Sequence, residues 1–285
     1  MIVAIFLRMV IAHILGDFYL QCDKWVDDKK ISGWRSKKLY CHSALVAVLT
    51  YVFSGIWMAF WIIPVIFLSH ALIDLLKVYL DKKIEKCPIT YILDQGLHLA
   101  VLVIVAYLAG SFYGPHSTFL IPEFLSSPVL LLVITAYLLI ITPAGFLIRD
   151  ILSPYREIVR KKEEGEGNKK KEEEKKLSGE LNSAADSNNL DNAGKLIGYL
   201  ERILVLTFIL INQYAAMGFL ITAKSIFRFR EDRTYLVEYY LLGTFLSIAV
   251  VLLIGLAVVF ASDIFWPNGA EELCISFKSI YLAIP

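Results

Sequence analysis

The chain has 285 residues, 57% of them hydrophobic, and its 28 basic and 27 acidic residues nearly cancel. That apolar share lies above the roughly 45–50% of soluble domains, and the mean hydropathy is +0.61, so the composition excludes an ordinary soluble domain. The balanced charge gives no indication of a nucleic-acid partner.

Apolar runs of about 20 residues, the length that crosses a bilayer, predict an all-α, polytopic membrane helix bundle of about seven spans. Five early spans cover about residues 2–21, 39–53, 56–80, 89–109 and 129–148, and the last covers about residues 235–260. Residues 196–222 form either a single span or a re-entrant hairpin that bends near Asn212-Gln213. Loops rich in Lys and Arg, such as 22–38 and 81–88, alternate with loops that lack them, which predicts that the basic loops are cytosolic.

Residues 155–193 contain alternating blocks of Lys and Glu and no apolar periodicity. They predict a charged cytosolic linker that is disordered or partly helical. The linker would separate an N-terminal membrane module (residues 1–154) from a C-terminal one (residues 194–262), which is followed by a tail (residues 263–285).

Pairs of histidine and aspartate, four residues apart inside apolar runs, are the main functional signal. A spacing of four places both side chains on one helix face. The pairs are His13 with Asp17, His70 with Asp74, and Asp94 with His98. A further histidine, His42, begins another apolar run. Ionisable groups within membrane spans are costly, so they usually face the bundle interior and carry function.

The predicted depths of the three pairs agree. In the first and third spans, the aspartates would lie about 7–9 Å from the cytosolic end and the histidines about 13–15 Å. The fourth span runs in the opposite direction, and its order of Asp and His is also reversed. All three pairs therefore place aspartate shallow and histidine deep, which predicts one shared site.

Imidazole and carboxylate side chains together suit zinc, iron or manganese. The predicted metal ligands are His13, His42, His70 and His98. The predicted catalytic carboxylates are Asp17, Asp74 and Asp94, which would serve as ligands, as partners that orient the imidazoles, or as the general base. One ion or two would fit this set, and no organic cofactor is indicated. The alternative is that each pair is a structural hydrogen bond within its helix.

Several basic residues near the predicted cytosolic face suggest binding of phosphate or of a lipid head group. They are Lys77, Lys195, Arg202, Lys224 and Arg228. Glu201 or Glu238 is expected to pair with Lys224 or Arg228. The alternative is simple anchoring at the cytosolic face, with Lys77 reaching the interface along its apolar stem. Trp25 and Trp34 are predicted interface anchors.

These residues resemble a bacterial membrane family known as domain of unknown function 3307. The resemblance lies in HILGDFYLQCDKW, the isolated His42, HALIDLLK and DQGLH, and in the later stretches GKLIGYLER, AKSIFRF and EYYLLGT. The N-terminal part is also distantly similar to predicted membrane-bound metal-dependent hydrolases, which likewise place His and Asp in membrane helices. The resemblance implies a multi-pass protein of the bacterial cytoplasmic (inner) membrane and supports the site residues, but it implies no substrate.

The leading functional hypothesis is a metal-dependent membrane hydrolase that acts on a lipid or lipid-linked substrate near the inner leaflet. A transporter or a proton or ion channel that uses the same groups as a relay is the first alternative. A non-catalytic membrane anchor or signalling partner is the second.

Overall fold

A computed structural model describes residues 1–84, 88–113, 127–174, 186–228 and 234–265. Their regular elements are helical, which confirms the all-α class. The helices are α1 (Ile2–Ile14), α2 (Asp23–Ser32), α3 (Lys37–Ser54), α4 (Ile62–Lys83), α5 (Pro88–Tyr113), α6 (Pro128–Ile141), α7 (Pro143–Glu174), α8 (Asp186–Leu210), α9 (Tyr214–Arg228) and α10 (Thr234–Phe265). A π-helical turn, Leu15–Tyr19, extends α1, and a 3₁₀ turn, Gly33–Arg35, precedes α3.

Within the described residues, five helical stretches are long and apolar enough to cross a membrane. They are Ile2–Tyr19, Ile62–Lys83, Pro88–Tyr113, Pro128–Lys162 and Tyr235–Phe265. Two helices that the sequence assigned to spans, α3 and α8, are not among them: α3 begins with two lysines, and the apolar part of α8 carries Lys195, Glu201 and Arg202. The molecule therefore has the helices of a membrane protein, and the count of about seven spans stays a prediction.

Residues 196–222, for which the sequence predicts either a single span or a re-entrant hairpin, are divided between two helices. Helix α8 ends at Leu210 and α9 begins at Tyr214. Between them Asn212 has a φ of 56°, in the left-handed region that Asn tolerates better than most residues. Helix α9 has 15 residues and is therefore about 22 Å long, shorter than the hydrocarbon core of a bilayer. The bend lies at Asn212-Gln213, where the hairpin interpretation places it.

The chain divides into two compact units. The first comprises Met1–Pro143 and the chain from Val258 onward, and the second comprises Ala144–Ala257. The predicted linker falls within the second unit, and its described part is helical: α7 continues to Glu174 and α8 resumes at Asp186. Residues 175–185 of that prediction, and the predicted tail beyond Phe265, lie outside the described residues.

Helix α1 is the centre of the first unit. It packs against α3, α5 and α6, while α4 packs against α3 and α5. Its residues from Leu7 to Ile14 are all buried, and Ile5 and Met9 are fully so. A helix whose residues are buried around its circumference lies inside a bundle, and the buried residues of α1 include Arg8 and His13. His13 and Asp17, at and just beyond the end of this helix, lie against residues of α3, α4 and α5.

Candidate metal site

Four helices each bring one histidine to the same place in the first unit. His13 lies on α1, His42 on α3, His70 on α4 and His98 on α5. The ring centroids are 4.4 Å apart for His70 and His98, 4.8 Å for His13 and His98, and 4.9 Å for His42 and His70. All four side chains are buried. Together with Asp17, Asp74 and Asp94, they form what we call the His/Asp cluster.

Asp17 is the carboxylate around which the imidazoles gather. Its Oδ1 lies 3.2 Å from His42 Nε2 and 3.4 Å from His70 Nε2, and its Oδ2 lies 3.7 Å from His13 Nε2. Asp17 occupies the π-helical turn that follows α1. Such a turn adds a residue to one helical turn and so rotates the side chains that follow it, and π-bulges are frequent at functional sites. The sequence predicts an uninterrupted helix here, and no motif in the sequence indicates the π-bulge.

Three of the atoms are spaced as ligands of one ion would be. His42 Nε2 and His70 Nε2 are 3.0 Å apart, and both face Asp17 Oδ1. Ligands about 2.0–2.2 Å from a tetrahedral zinc ion lie about 3.3–3.6 Å from one another. The triangle is therefore close in size to one face of such a tetrahedron. Three sets of residues in the cluster have donor atoms that all lie within 4.8 Å of one another. They are His13 with Asp17 and His70, His42 with His70 and Asp74, and Asp74 with Asp94 and His98.

Lysines neutralise the other two aspartates. Lys29 donates to Asp74 Oδ2, which lies 4.0 Å from the Nε2 atoms of His42 and His70. Lys77 Nζ donates to Asp94 Oδ2 at 2.7 Å. Among the residues that the structure describes, no Lys or Arg forms an ion pair with Asp17. With neutral imidazoles, the cluster therefore keeps one uncompensated negative charge, at the carboxylate nearest the histidines.

The tautomer of His98 leaves a nitrogen free inside the bundle. His98 Nδ1 donates to the backbone oxygen of Asp94 at 3.0 Å, so Nε2 carries a lone pair. His98 Nε2, His13 Nε2 and Asp17 Oδ1 are buried and form no hydrogen bond. A cavity of about 10 Å³, room for about one water molecule, is lined by His13, Ser69, His70 and His98 together with apolar side chains. Buried polar atoms without partners are costly, and an ion or a water in this cavity would be next to the imidazoles of His13 and His98.

Helix α2 contributes two residues that the sequence did not assign to a site. Lys29, expected in a charged surface loop, is 6% exposed and pairs with Asp74. Trp25, one helical turn earlier, has its ring 6.4 Å from that of His42. Trp25 therefore contacts the cluster, whereas Trp34 is 65% exposed, as an interface anchor would be. A spacing of four in a short polar helix was the only signal for this pair.

The residues predicted to bind phosphate or head groups do not share one environment. Lys77 belongs to the cluster through Asp94. In the second unit Lys224 pairs with Glu201, one of the expected pairings, and Lys195 is exposed. Arg202 is buried with its guanidinium 5.2 Å from the ring of Tyr199. The side chain of Arg228 lies outside the described residues.

Comparison with known proteins finds a likeness over the part of the chain that builds the cluster. Residues 5–125 match the model of a family described as "Protein of unknown function (DUF3307)". The match contains all seven residues of the His/Asp cluster and ends before the later stretches GKLIGYLER, AKSIFRF and EYYLLGT. No curated protein matches the chain, and no solved structure does. The likeness to predicted membrane-bound hydrolases stays a prediction. The chain is thus similar, over the residues that form the cluster, to a family whose function is itself unknown.

Proposed function

We propose that the protein is a metal-dependent membrane hydrolase of the bacterial cytoplasmic membrane that acts on a lipid or lipid-linked substrate near the inner leaflet. The observation that carries this proposal is the gathering of three imidazole Nε2 atoms around Asp17, at 3.2, 3.4 and 3.7 Å. Buried imidazole and carboxylate groups at such distances are the donor set of zinc, iron and manganese.

The contacts suggest a division of roles within the cluster. Asp17, His42 and His70 are the innermost ligands, and His13 or His98 completes the set. The bound ion would activate a water for hydrolysis. Asp74 lies 4.0 Å from two imidazole nitrogens and is held by Lys29, so it is placed to orient the ligands or to take a proton. The backbone oxygen of Asp94 orients His98, while the Asp94 carboxylate lies 3.6 Å from His98 Nδ1 and is held by Lys77.

The depth of the cluster favours a substrate with its reactive bond at the membrane surface. Asp17 lies two residues before the end of the apolar stretch Ile2–Tyr19, and Asp94 lies six residues after the start of Pro88–Tyr113. Six helical residues span about 9 Å. The ester and phosphate bonds of lipids lie at the edge of the hydrocarbon core, within reach of such a site.

Elemental analysis of the detergent-purified protein tests the metal, and a panel of lipid esters and lipid-linked phosphates in nanodiscs tests the hydrolysis. We expect about one zinc, iron or manganese ion per chain, because one carboxylate of the cluster lacks a lysine. Chelation should abolish hydrolysis, and the same metal should restore it. A protein that carries no metal when purified, and takes none up, would contradict the proposal.

One observation favours a second candidate, a proton or ion pathway. The rings of His42, His70, His98 and His13 follow one another at centroid distances of 4.9, 4.4 and 4.8 Å. Successive imidazoles at such spacing suit a proton relay. Proton flux into liposomes that contain metal-free protein would favour this candidate. A cluster with neither metal nor flux would leave the non-catalytic anchor.

A further inference from the structure

Residues 22–38, which we call the α2 segment, have two unlike sides. Towards the cluster, Lys29 and Trp25 are held by Asp74 and by the ring of His42. Away from it, Ile31 is 82% exposed and Trp34 is 65% exposed, although both are large apolar side chains. Because its lysine is buried and its tryptophan is exposed, the segment is suited to contact a surface other than bulk water.

The exposed side of the segment is also positively charged. Five basic side chains are exposed, against two acidic ones, which gives a net charge of +3. They are Lys24, Lys30, Arg35, Lys37 and Lys38, against Asp23 and Asp27. The guanidinium carbon of Arg35 lies 5.0 Å from the ring centre of Trp34, so charge and aromatic surface coincide. Basic side chains beside tryptophan are typical of segments that lie on anionic membrane surfaces.

The chain itself keeps this segment at the end of a candidate span. The apolar stretch Ile2–Tyr19 ends three residues before Cys22, and three residues reach at most about 10 Å. At the other end, Ser36 hydrogen-bonds Asp28 and also caps α3 by accepting from the Leu39 N–H at 3.1 Å. The segment is therefore tied to two bundle helices at one membrane face.

We propose that the α2 segment binds anionic lipid head groups through Lys30, Trp34, Arg35 and their exposed neighbours, and that this contact holds α2 against the His/Asp cluster. Because Lys29 and Trp25 are in the same segment, head groups on the outer side stabilise the contacts of Lys29 with Asp74 and of Trp25 with His42. This inference does not depend on metal or on hydrolysis.

Hydrogen exchange of α2 in the full-length protein, in nanodiscs of phosphatidylcholine with or without phosphatidylglycerol, tests the proposal. Phosphatidylglycerol should slow exchange in α2 by about tenfold or more, since each basic residue near an anionic surface contributes about fivefold. The effect should fall as salt is raised, because salt screens exposed charges. Equal exchange in the two lipids would overturn the proposal.

Matched variants locate the effect. Lys30→Gln, Arg35→Gln and Lys37→Gln combined should remove the slowing by phosphatidylglycerol, and Lys38 is left unaltered because its ammonium lies 5.8 Å from the ring centre of Trp25. Lys82→Gln with Lys83→Gln, which removes two exposed lysines at the end of α4, should leave it intact. Loss in the control pair and not in the triple variant would contradict the assignment. So would slowing by a soluble polyphosphate that phosphatidylglycerol does not give, because the partner would then not be a lipid surface. The salt titration of the unaltered protein decides the question even if the triple variant fails to fold.

Discussion

His70 is the residue at which the contacts of the cluster meet. Its Nε2 lies 3.0 Å from His42 Nε2 and 3.4 Å from Asp17 Oδ1, and its ring packs against His98. It is 2% exposed and stands in the middle of a candidate span. These contacts support the role of His70 as a metal ligand more strongly than the roles of the other histidines.

We predict that His70→Ala inserts normally and loses the metal. Removing a buried polar group from a span does not hinder insertion, because polar atoms are the costly ones in lipid. Asp74→Asn should keep part of the metal, since the Oδ2 of Asp74 lies 4.0 Å from the Nε2 atoms of His42 and His70. Metal content and melting temperature are the measurements, with Thr135→Ala on α6 as the control, because Thr135 is buried, does not line the cavity and donates its hydroxyl to the Leu131 oxygen of its own helix. Full metal content in purified His70→Ala would refute the assignment; a lower melting temperature with unaltered metal would indicate a structural pair.

Lys29 offers a second prediction, about stability. Breaking a buried ion pair leaves a charge without a partner, which typically costs about 3–5 kcal/mol. Lys29→Ala should therefore lower the melting temperature in detergent, and Asp74→Asn in the same chain should restore part of the loss. Lys30→Ala, at the exposed neighbouring position, should change the melting temperature little. Equal melting temperatures for Lys29→Ala and Lys30→Ala would show that the pair contributes no stability.

At the scale of the element, the π-helical turn Leu15–Tyr19 sets the geometry of the cluster. It turns Asp17 towards His42 and His70 while His13, four residues earlier, stays in α1. Gly16 makes this turn fit: a Cβ there would lie 2.7 Å from Val46 Cγ2 on α3. A β-branched side chain within a helix has little rotamer freedom to move aside. The close approach of α1 and α3 therefore requires glycine.

We predict that Gly16→Ala forces α1 and α3 apart and weakens metal binding. Overpacking of this kind costs about 1–3 kcal/mol, and the shift would move Asp17 away from the imidazole of His42. Gly96→Ala is the matched control, because Gly96 lies on α5 between Asp94 and His98, and a Cβ there meets nothing within 4 Å. Metal affinity and melting temperature should fall for the first variant only. If metal affinity and melting temperature fell in both variants, the replacement of a helical glycine, rather than the α1–α3 contact, would be responsible.

At the scale of the whole molecule, the cluster is a property of the first unit. Its seven side chains and both lysines lie between residues 13 and 98, all within Met1–Pro143. The charged stretch at the end of α7 belongs to the second unit and supplies none of them. The family match, residues 5–125, likewise covers the cluster and stops before the second unit.

We therefore predict that deleting Lys161–Lys176 from the full chain leaves metal content and membrane insertion unchanged. The deleted residues alternate Lys and Glu and offer no apolar face to the bundle. Elemental analysis and membrane fractionation are the measurements. A loss of metal on deletion would mean that the charged stretch supports the cluster, contrary to this division of the chain.

The predictable part of this protein follows from local periodicity. Runs of apolar residues indicate membrane helices wherever they are long enough. In the described part of the chain, five helical stretches are long and apolar enough to cross a membrane. The spacing of four in the His/Asp pairs places each pair on one helix face, and the matched depths of the three pairs indicated that they would meet. Helix direction and the rise per residue are enough for that inference, because depth along a straight helix depends only on residue number.

Only the tertiary structure shows the features that depend on how the helices are rotated and which helices are in contact. The π-helical turn at Asp17 and the packing of α1 against α3 at Gly16 have no local sequence signal, and the spacing of four between Trp25 and Lys29 does not show which residues they meet. A helical pattern gives the face of a side chain within its own helix, but not the neighbour that the face meets. The pairing of Lys29 with Asp74 and of Lys77 with Asp94, which leaves Asp17 as the carboxylate without a lysine, is set by that packing.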